Sequence, residues 1–253
     1  MKQLFGALLA AVVMGMTAGV TFAAEDEAKA RIEASLGATG QPVRVTSMTP
    51  SEDIPGLMNV VVNGQERFLA SSDGRFLIAG DVYAMSETGP VNVADQQMEG
   101  VRKELFSDLD ESKSVIFKAA EEKSRLIVFT DPSCGYCRQM HKDMPALNAA
   151  GITVQYMAYP RAGAGSEPGV QMQQIWCAND RQKAMDDAKL RGTVRENVTI
   201  EEGAACSATV AEQYALGSRA GVRGTPAVFT LEGRQMGGYM PAERLVEALG
   251  LGG

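Results

Sequence analysis

Two cysteines three positions apart, in the run Cys134-Gly135-Tyr136-Cys137, constrain this chain more than any other feature. At that spacing they can close a small disulfide that cycles between oxidised and reduced states. The apolar run Leu126-Ile127-Val128-Phe129 precedes the pair and a helix-compatible run, 137–149, follows it, so Cys134 falls where a strand ends and a helix begins. The unpaired N–H groups and positive dipole end of a helix favour an anion there. Because the thiolate is the species that attacks a disulfide, Cys134 is expected to be the attacking sulfur and Cys137 the resolving one. The alternatives are a zinc site or a fixed structural disulfide. The spacing on to Cys177 and Cys206 does not repeat the paired pattern of zinc modules, and no metal is expected.

The compartment follows from the start of the chain. Lys2, an apolar stretch from Leu4 to Met16, and small residues ending Thr21-Phe22-Ala23 have the order of a secretory signal peptide, residues 1–23, with cleavage after Ala23. The rival is an uncleaved anchor, since the segment just reaches the spanning minimum of about 17 residues. Export to an oxidising compartment places the four cysteines where disulfides persist. Loss of Lys2 with the leader would take the net charge from −7 to −8, an acidic balance that argues against nucleic acid or anionic membrane surfaces as partners.

Two modules are legible. From Ala24 to about Leu36 apolar residues recur at helical spacing, and Val43–Met48, Leu57–Val62 and the runs after Asn63-Gly64 and Asp73-Gly74 read as strands of a small α+β unit over 24–89. At about 60 residues such a unit is marginal alone, and pairing with a second copy would stabilise it. Gly89-Pro90 punctuates the chain, and Val93, Val101, Leu105 and Leu109 suggest a linker helix within 90–112. The remainder, 113–253, alternates strand and helix: strands at 115–118, 126–130, 153–157 and 227–231, helices at 134–149 and over most of 172–189, a helix after Cys206, and a last helix opened by Pro241.

A C-x-x-C at a strand-to-helix junction, a central helical insertion, and Thr225-Pro226 before a strand hairpin and terminal helix resemble the thioredoxin fold. The runs Phe129-Thr130-Asp131, Tyr159-Pro160-Arg161, Ile175-Trp176-Cys177-Ala178, Tyr214-Ala215-Leu216-Gly217 and Gly224-Thr225-Pro226-Ala227, with Cys134-Gly135-Tyr136-Cys137, are similar to the DsbC/DsbG family of bacterial periplasmic disulfide isomerases. The resemblance implies an α/β thioredoxin-like catalytic domain with a helical insertion, joined by the linker helix to a cystatin-like α+β dimerisation domain. It also implies a V-shaped homodimer that rearranges incorrect disulfides in misfolded exported proteins, has chaperone activity, is kept reduced by a DsbD-like membrane donor, and needs no cofactor. A DsbG-like reductase of oxidised cysteines, whose motif has proline where Gly135 stands, and a holdase-type chaperone are the alternatives.

Carried over by motif, Cys134 and Cys137 are catalytic, and Gly135, Tyr136, Thr225 and Pro226 support them, with a cis Thr225–Pro226 bond expected to expose backbone to an extended substrate. Cys177 and Cys206 match a structural disulfide of the family rather than a second redox pair; closing a loop of about 30 residues is worth roughly 3 kcal/mol. Val128 stands where thioredoxins carry a buried acid, and Arg138 where relatives carry a histidine. His141, the one histidine, lies four residues after Cys137 and so on the same helix face, where it could tune the thiol, but it is expected to be a solvated helix residue; Trp176 is expected to pack.

Overall fold

The computed structural model describes residues 17–252 apart from 39, 41, 65, 87, 88 and 194–199. The chain divides into two compact units, Met1–Val93 and Ala94–Gly253. Most of the expected leader lies outside the described residues. The first helix, α1 (Thr17–Gly37), begins inside it and runs on through Ala23-Ala24.

In the first unit α1 is followed by four strands, β1 (Val45–Pro50), β2 (Leu57–Val62), β3 (Glu66–Ser71) and β4 (Leu77–Ile78), paired antiparallel in that order. The hairpin expected at Asn63-Gly64 is present: both residues have positive φ, 51° and 74°, and Val62 pairs with Glu66. Ala28 and Ile32 of α1 bury against Val45, Met48, Val60, Val62 and Ala70, which makes a small core of its own. The helix comes so close to the β3–β4 turn that a Cβ on Gly74, at φ +66°, would lie 2.6 Å from the Ala28 carbonyl oxygen. Asp73 shapes the turn by accepting from the Arg75 N–H and the Ser71 hydroxyl. A separate ribbon pairs β5 (Tyr83–Ser86) with β6 (Gly89–Asn92). Gly89-Pro90 therefore lies in a strand rather than interrupting one, which a two-stranded ribbon permits because proline is tolerated at sheet edges.

The linker helix is α2 (Val93–Ser107), and its face differs from the sequence reading. Val101 is exposed, while Arg102 is buried with Phe106. The Arg102 guanidinium pairs with Asp95 at 2.6 Å, donates to the Ala220 carbonyl at 2.9 Å and lies 4.9 Å over the Phe229 ring. A charged residue on the packed face is invisible to a hydropathy pattern. A Cβ on Gly233, at φ +91°, would stand 2.2 Å from the Glu99 carbonyl oxygen, so the turn that carries Gly233 is also held tightly against α2.

The second unit is built on five strands, β7 (Val115–Phe117), β8 (Ser124–Thr130), β9 (Ile152–Ala158), β10 (Ala227–Thr230) and β11 (Gln235–Gly237), in the order β11-β10-β8-β9-β7. β8 and β9 are parallel and the other pairs antiparallel. Both faces are covered, which is why these strands read as nearly continuous apolar runs. Leu126 and Val128 point to one core with Met140, Leu147, Trp176 and Leu245, and Ile127 and Phe129 to the other with Phe106, Tyr159 and Phe229. The expected helix 134–149 is two helices, α3 (Gly135–Lys142) and α4 (Met144–Ala149), broken at Asp143, two residues before Pro145, whose ring and missing N–H disrupt a continuing helix. Between β9 and β10 the insertion holds α5 (Glu167–Trp176), α6 (Arg181–Asp186), a π turn (Asp187–Arg191) and α7 (Ile200–Arg219). α8 (Ala242–Ala248), capped by Pro241, ends the fold. Among the described residues no helix is long and apolar enough to cross a membrane.

Candidate active site

β8 ends at Thr130, and the loop that follows is drawn tight by Asp131. Its carboxylate accepts from the Ser133 N–H and hydroxyl at 2.7 and 2.6 Å and from the Arg161 N–H and Nε at 2.9 and 3.0 Å. Burial opposes ionisation of Asp131, and these donors overcome it, so the carboxyl lies below its ordinary range. The loop delivers Cys134 as the N-cap of α3, with the Cys137 N–H donating to Cys134 Sγ at 3.3 Å.

Cys134 and Cys137 are free thiols, 3% and 1% exposed, and they differ chemically. Cys134 is lowered to about 5, chiefly by the hydrogen bond from the Cys137 thiol, with Thr225, the Cys137 N–H and the Arg161 charge acting the same way against the opposing effect of burial. The Thr225 hydroxyl is buried with no hydrogen-bond partner among the described residues. Burial pushes the Cys137 thiol far up, and its bond to Cys134 adds to this. One sulfur is therefore a thiolate at neutral pH and the other keeps its proton, the division that nucleophile and resolving thiol require.

The structure brings the other expected residues to the pair. Thr225–Pro226 is cis, and the Thr225 carbonyl oxygen lies 3.1 Å from Cys134 Sγ. Gly135 has nothing within 4 Å of where a Cβ would stand, so packing does not demand glycine there. Tyr136 is 69% exposed and stacks on Tyr239 at 6.2 Å, forming an aromatic ledge beside the motif. Cys177 and Cys206 are joined in a disulfide, Cα atoms 5.7 Å apart, next to the buried Trp176. Among the described residues no three His, Cys, Asp or Glu side chains are grouped to hold a metal ion.

His141 corrects the sequence reading. Instead of being solvated it is 2% exposed, with Nε2 2.8 Å from Asp186 Oδ1 and Nδ1 3.1 Å from the Tyr156 hydroxyl. Burial lowers its pKa against the pull of Asp186, so the ring is neutral, donating from Nε2 and accepting at Nδ1. Helical spacing placed it correctly on the Cys137 side of α3, but the covering elements come from β9 and the helical insertion, remote in sequence.

Lys189 was not foreseen. It is 2% exposed, and Nζ donates to Thr130 Oγ1 at 2.8 Å and to the Asp131 carbonyl at 2.6 Å. The runs holding Thr130, Asp131 and Arg161 were visible as motifs; Lys189, in a charged stretch, carried no sequence signal.

Two family profiles divide the chain: a thioredoxin-like domain matches residues 111–252, and the N-terminal domain of disulfide bond isomerase proteins matches 21–95. The chain is 36% identical to the thiol:disulfide interchange protein DsbC of Escherichia coli K12, over 90% of its own length and 89% of the relative's. To DsbC of Haemophilus influenzae it is 32% identical, over 98% of each. A disulfide interchange protein from Neisseria gonorrhoeae of known structure is 26% identical over 56% of this chain and 96% of that one, with a TM-score of 0.45. Matched along both modules and carrying a thiolate-forming C-x-x-C on a thioredoxin-like fold, the chain belongs to the DsbC family and is a thiol:disulfide oxidoreductase of the disulfide isomerase type.

Proposed function

We propose that the enzyme rearranges non-native disulfides of exported proteins in the periplasm, with Cys134 as nucleophile and Cys137 as resolving thiol. The observation that carries this reading is the N-cap position of Cys134, where the Cys137 N–H meets its sulfur and holds it as thiolate. Cys134 Sγ attacks one sulfur of the substrate disulfide, a mixed disulfide forms, and the second substrate sulfur leaves as a thiolate. A substrate thiolate that then attacks the mixed disulfide regenerates Cys134, and the substrate has been isomerised with no net electron transfer. Attack by Cys137 instead gives reduced substrate and an oxidised enzyme, which a DsbD-like membrane donor returns to the dithiol. The Thr225 backbone beside Cys134 is the edge on which an extended substrate segment lies, and the Tyr136–Tyr239 ledge offers apolar contact.

The N-terminal unit is the dimerisation module. Phe76, Ile78, Tyr83 and Met85 are exposed on or beside its short strands, a concentration of apolar side chains that a second copy would cover. A dimer presents two thiol sites to one client, which favours holding a partly folded chain through repeated exchange. The leader 1–23 is removed on export, and Cys177–Cys206 serves stability. Refolding of a scrambled multi-disulfide substrate tests the reading: catalytic recovery with the wild type and none with Cys134→Ser is expected. A Cys134→Ser protein that restores native disulfides at the wild-type rate rejects it.

A further inference from the structure

Cys137 must lose a proton to close the disulfide with Cys134, yet it lies where a thiol retains its proton, buried and bonded to Cys134. On β8, Val128 provides no acid–base group. Lys189 does. Its amine is enclosed, and its hydrogen-bond acceptors are a hydroxyl and a carbonyl rather than a carboxylate, since the Asp131 carboxylate is engaged by Ser133 and Arg161. Thr130 lies between the two groups in effect: its Oγ1 accepts from Lys189 Nζ at 2.8 Å, and its hydroxyl favours the charged form of the Cys137 sulfur against burial. The backbone that carries Lys189 is the π turn Asp187–Arg191, a geometry that is rare and concentrated at functional sites.

We propose that Lys189 receives the Cys137 proton in the resolving step, through the Thr130 hydroxyl, and returns it when the enzyme is reduced. This rests on the assignment of Cys134 and Cys137 above. In the mixed disulfide the Cys137 proton passes to Thr130 Oγ1 as the Thr130 proton passes to the Lys189 amine. The Cys137 sulfur attacks Cys134 Sγ, the bond from Cys134 to the substrate sulfur breaks, and that sulfur leaves with the electron pair and is protonated by water. Two electrons go to the substrate, and Lys189 ends as ammonium. When an external dithiol opens the Cys134–Cys137 bond, the Cys137 thiolate takes the proton back by the same route. Lys189 touches neither sulfur and is a positioning residue for the proton.

The charged and titratable groups around Lys189 are Cys137, Asp131, Cys134 and Arg138, with the neutral His141 and its partner Asp186, and Tyr156 behind Cys137. On the π turn itself Asp187 is engaged by Lys183 and Arg191. Burial lowers Lys189 to about 8 against the attraction of Cys137, Asp131 and Cys134, which keeps a usable fraction of amine at neutral pH.

The first test uses the full-length wild-type enzyme with isotope-labelled lysine. The Lys189 resonance should titrate near 8, and at different pH in the oxidised and reduced forms. Titration at the ordinary lysine value of 10.5 in both forms would overturn the proposal. The second is stopped-flow reduction of a symmetric small-molecule disulfide, in which the first thiol is released by Cys134 and the second by Cys137. Lys189→Met, Lys189→Arg and Thr130→Val should each slow the second release about tenfold or more at neutral pH while changing the first by less than about threefold, with the second recovering as pH rises. A second phase of wild-type rate and pH profile in Lys189→Arg, which keeps charge but gives up no proton, would overturn it. If Cys134→Ser still releases the first thiol, the assignment of the pair fails instead.

Discussion

The Cys137 N–H donates to Cys134 Sγ at 3.3 Å, so the second cysteine of the motif caps the charge on the first. The contact is available because Cys134 has extended backbone, φ −80° and ψ 120°, and stands just outside α3. The N-cap geometry that stabilises a helix with a serine or aspartate oxygen here stabilises a thiolate.

A pH titration of the reduced enzyme follows. Thiolate ultraviolet absorbance should persist from neutral pH down to about 5. The folded value lies below the unfolded 9.0, so between the two the unfolded chain binds more protons, and the stability of the reduced form rises with pH across that window and is lost as pH falls through about 5. Cys137 is raised above 9.0 and works in the opposite direction only above that value. Denaturation of reduced and oxidised enzyme side by side should show the stability of the reduced form rising relative to that of the oxidised form from about pH 5 to 9. A pH-independent difference contradicts the assignment.

Arg102→Met should cost about 3 kcal/mol of stability in the second unit, because it leaves Asp95 without its cation and the Ala220 carbonyl without its donor. Denaturant midpoints measure it. Thiol exchange per folded molecule should be unchanged, since Arg102 touches no residue of the C-x-x-C.

Replacing Cys177 and Cys206 together by serine should lower stability by about 3 kcal/mol and leave disulfide exchange in place, as a loop-closing crosslink acts mainly on the unfolded chain. Loss of turnover in a folded double variant would assign the second pair to the reaction.

Removing 24–89 from the exported form should give a monomer that still reduces a simple disulfide but loses most isomerisation. The second unit has cores of its own on both faces of its sheet, while the exposed Phe76 and Met85 go with the first. Sedimentation and scrambled-substrate refolding read the two effects. Isomerisation by the monomer at the full-length rate would contradict a role for pairing.

The sequence was most legible where neighbours in the chain decide the outcome. β2 spans Leu57–Val62 as its β-branched run indicates, Asn63-Gly64 turns, and the C-x-x-C opens a helix. It was least legible where a polar side chain is buried by segments far away. Arg102, His141 and Lys189 all belong by hydropathy to the solvent, and each is at most 2% exposed because its partners come from distant elements. The family motifs located Cys134, Cys137, Thr225 and Pro226, and the structure adds what electrostatically surrounds them.

The central claim, that Cys134 attacks and Cys137 resolves, is tested most directly by trapping in the periplasm. Cys137→Ser keeps the helix-end nucleophile and loses the intramolecular escape, so it should accumulate mixed disulfides with exported proteins, visible as high-mass bands on non-reducing gels that vanish on reduction. Cys134→Ser should show none. Equal trapping by both variants, or trapping by Cys134→Ser alone, would contradict the assignment.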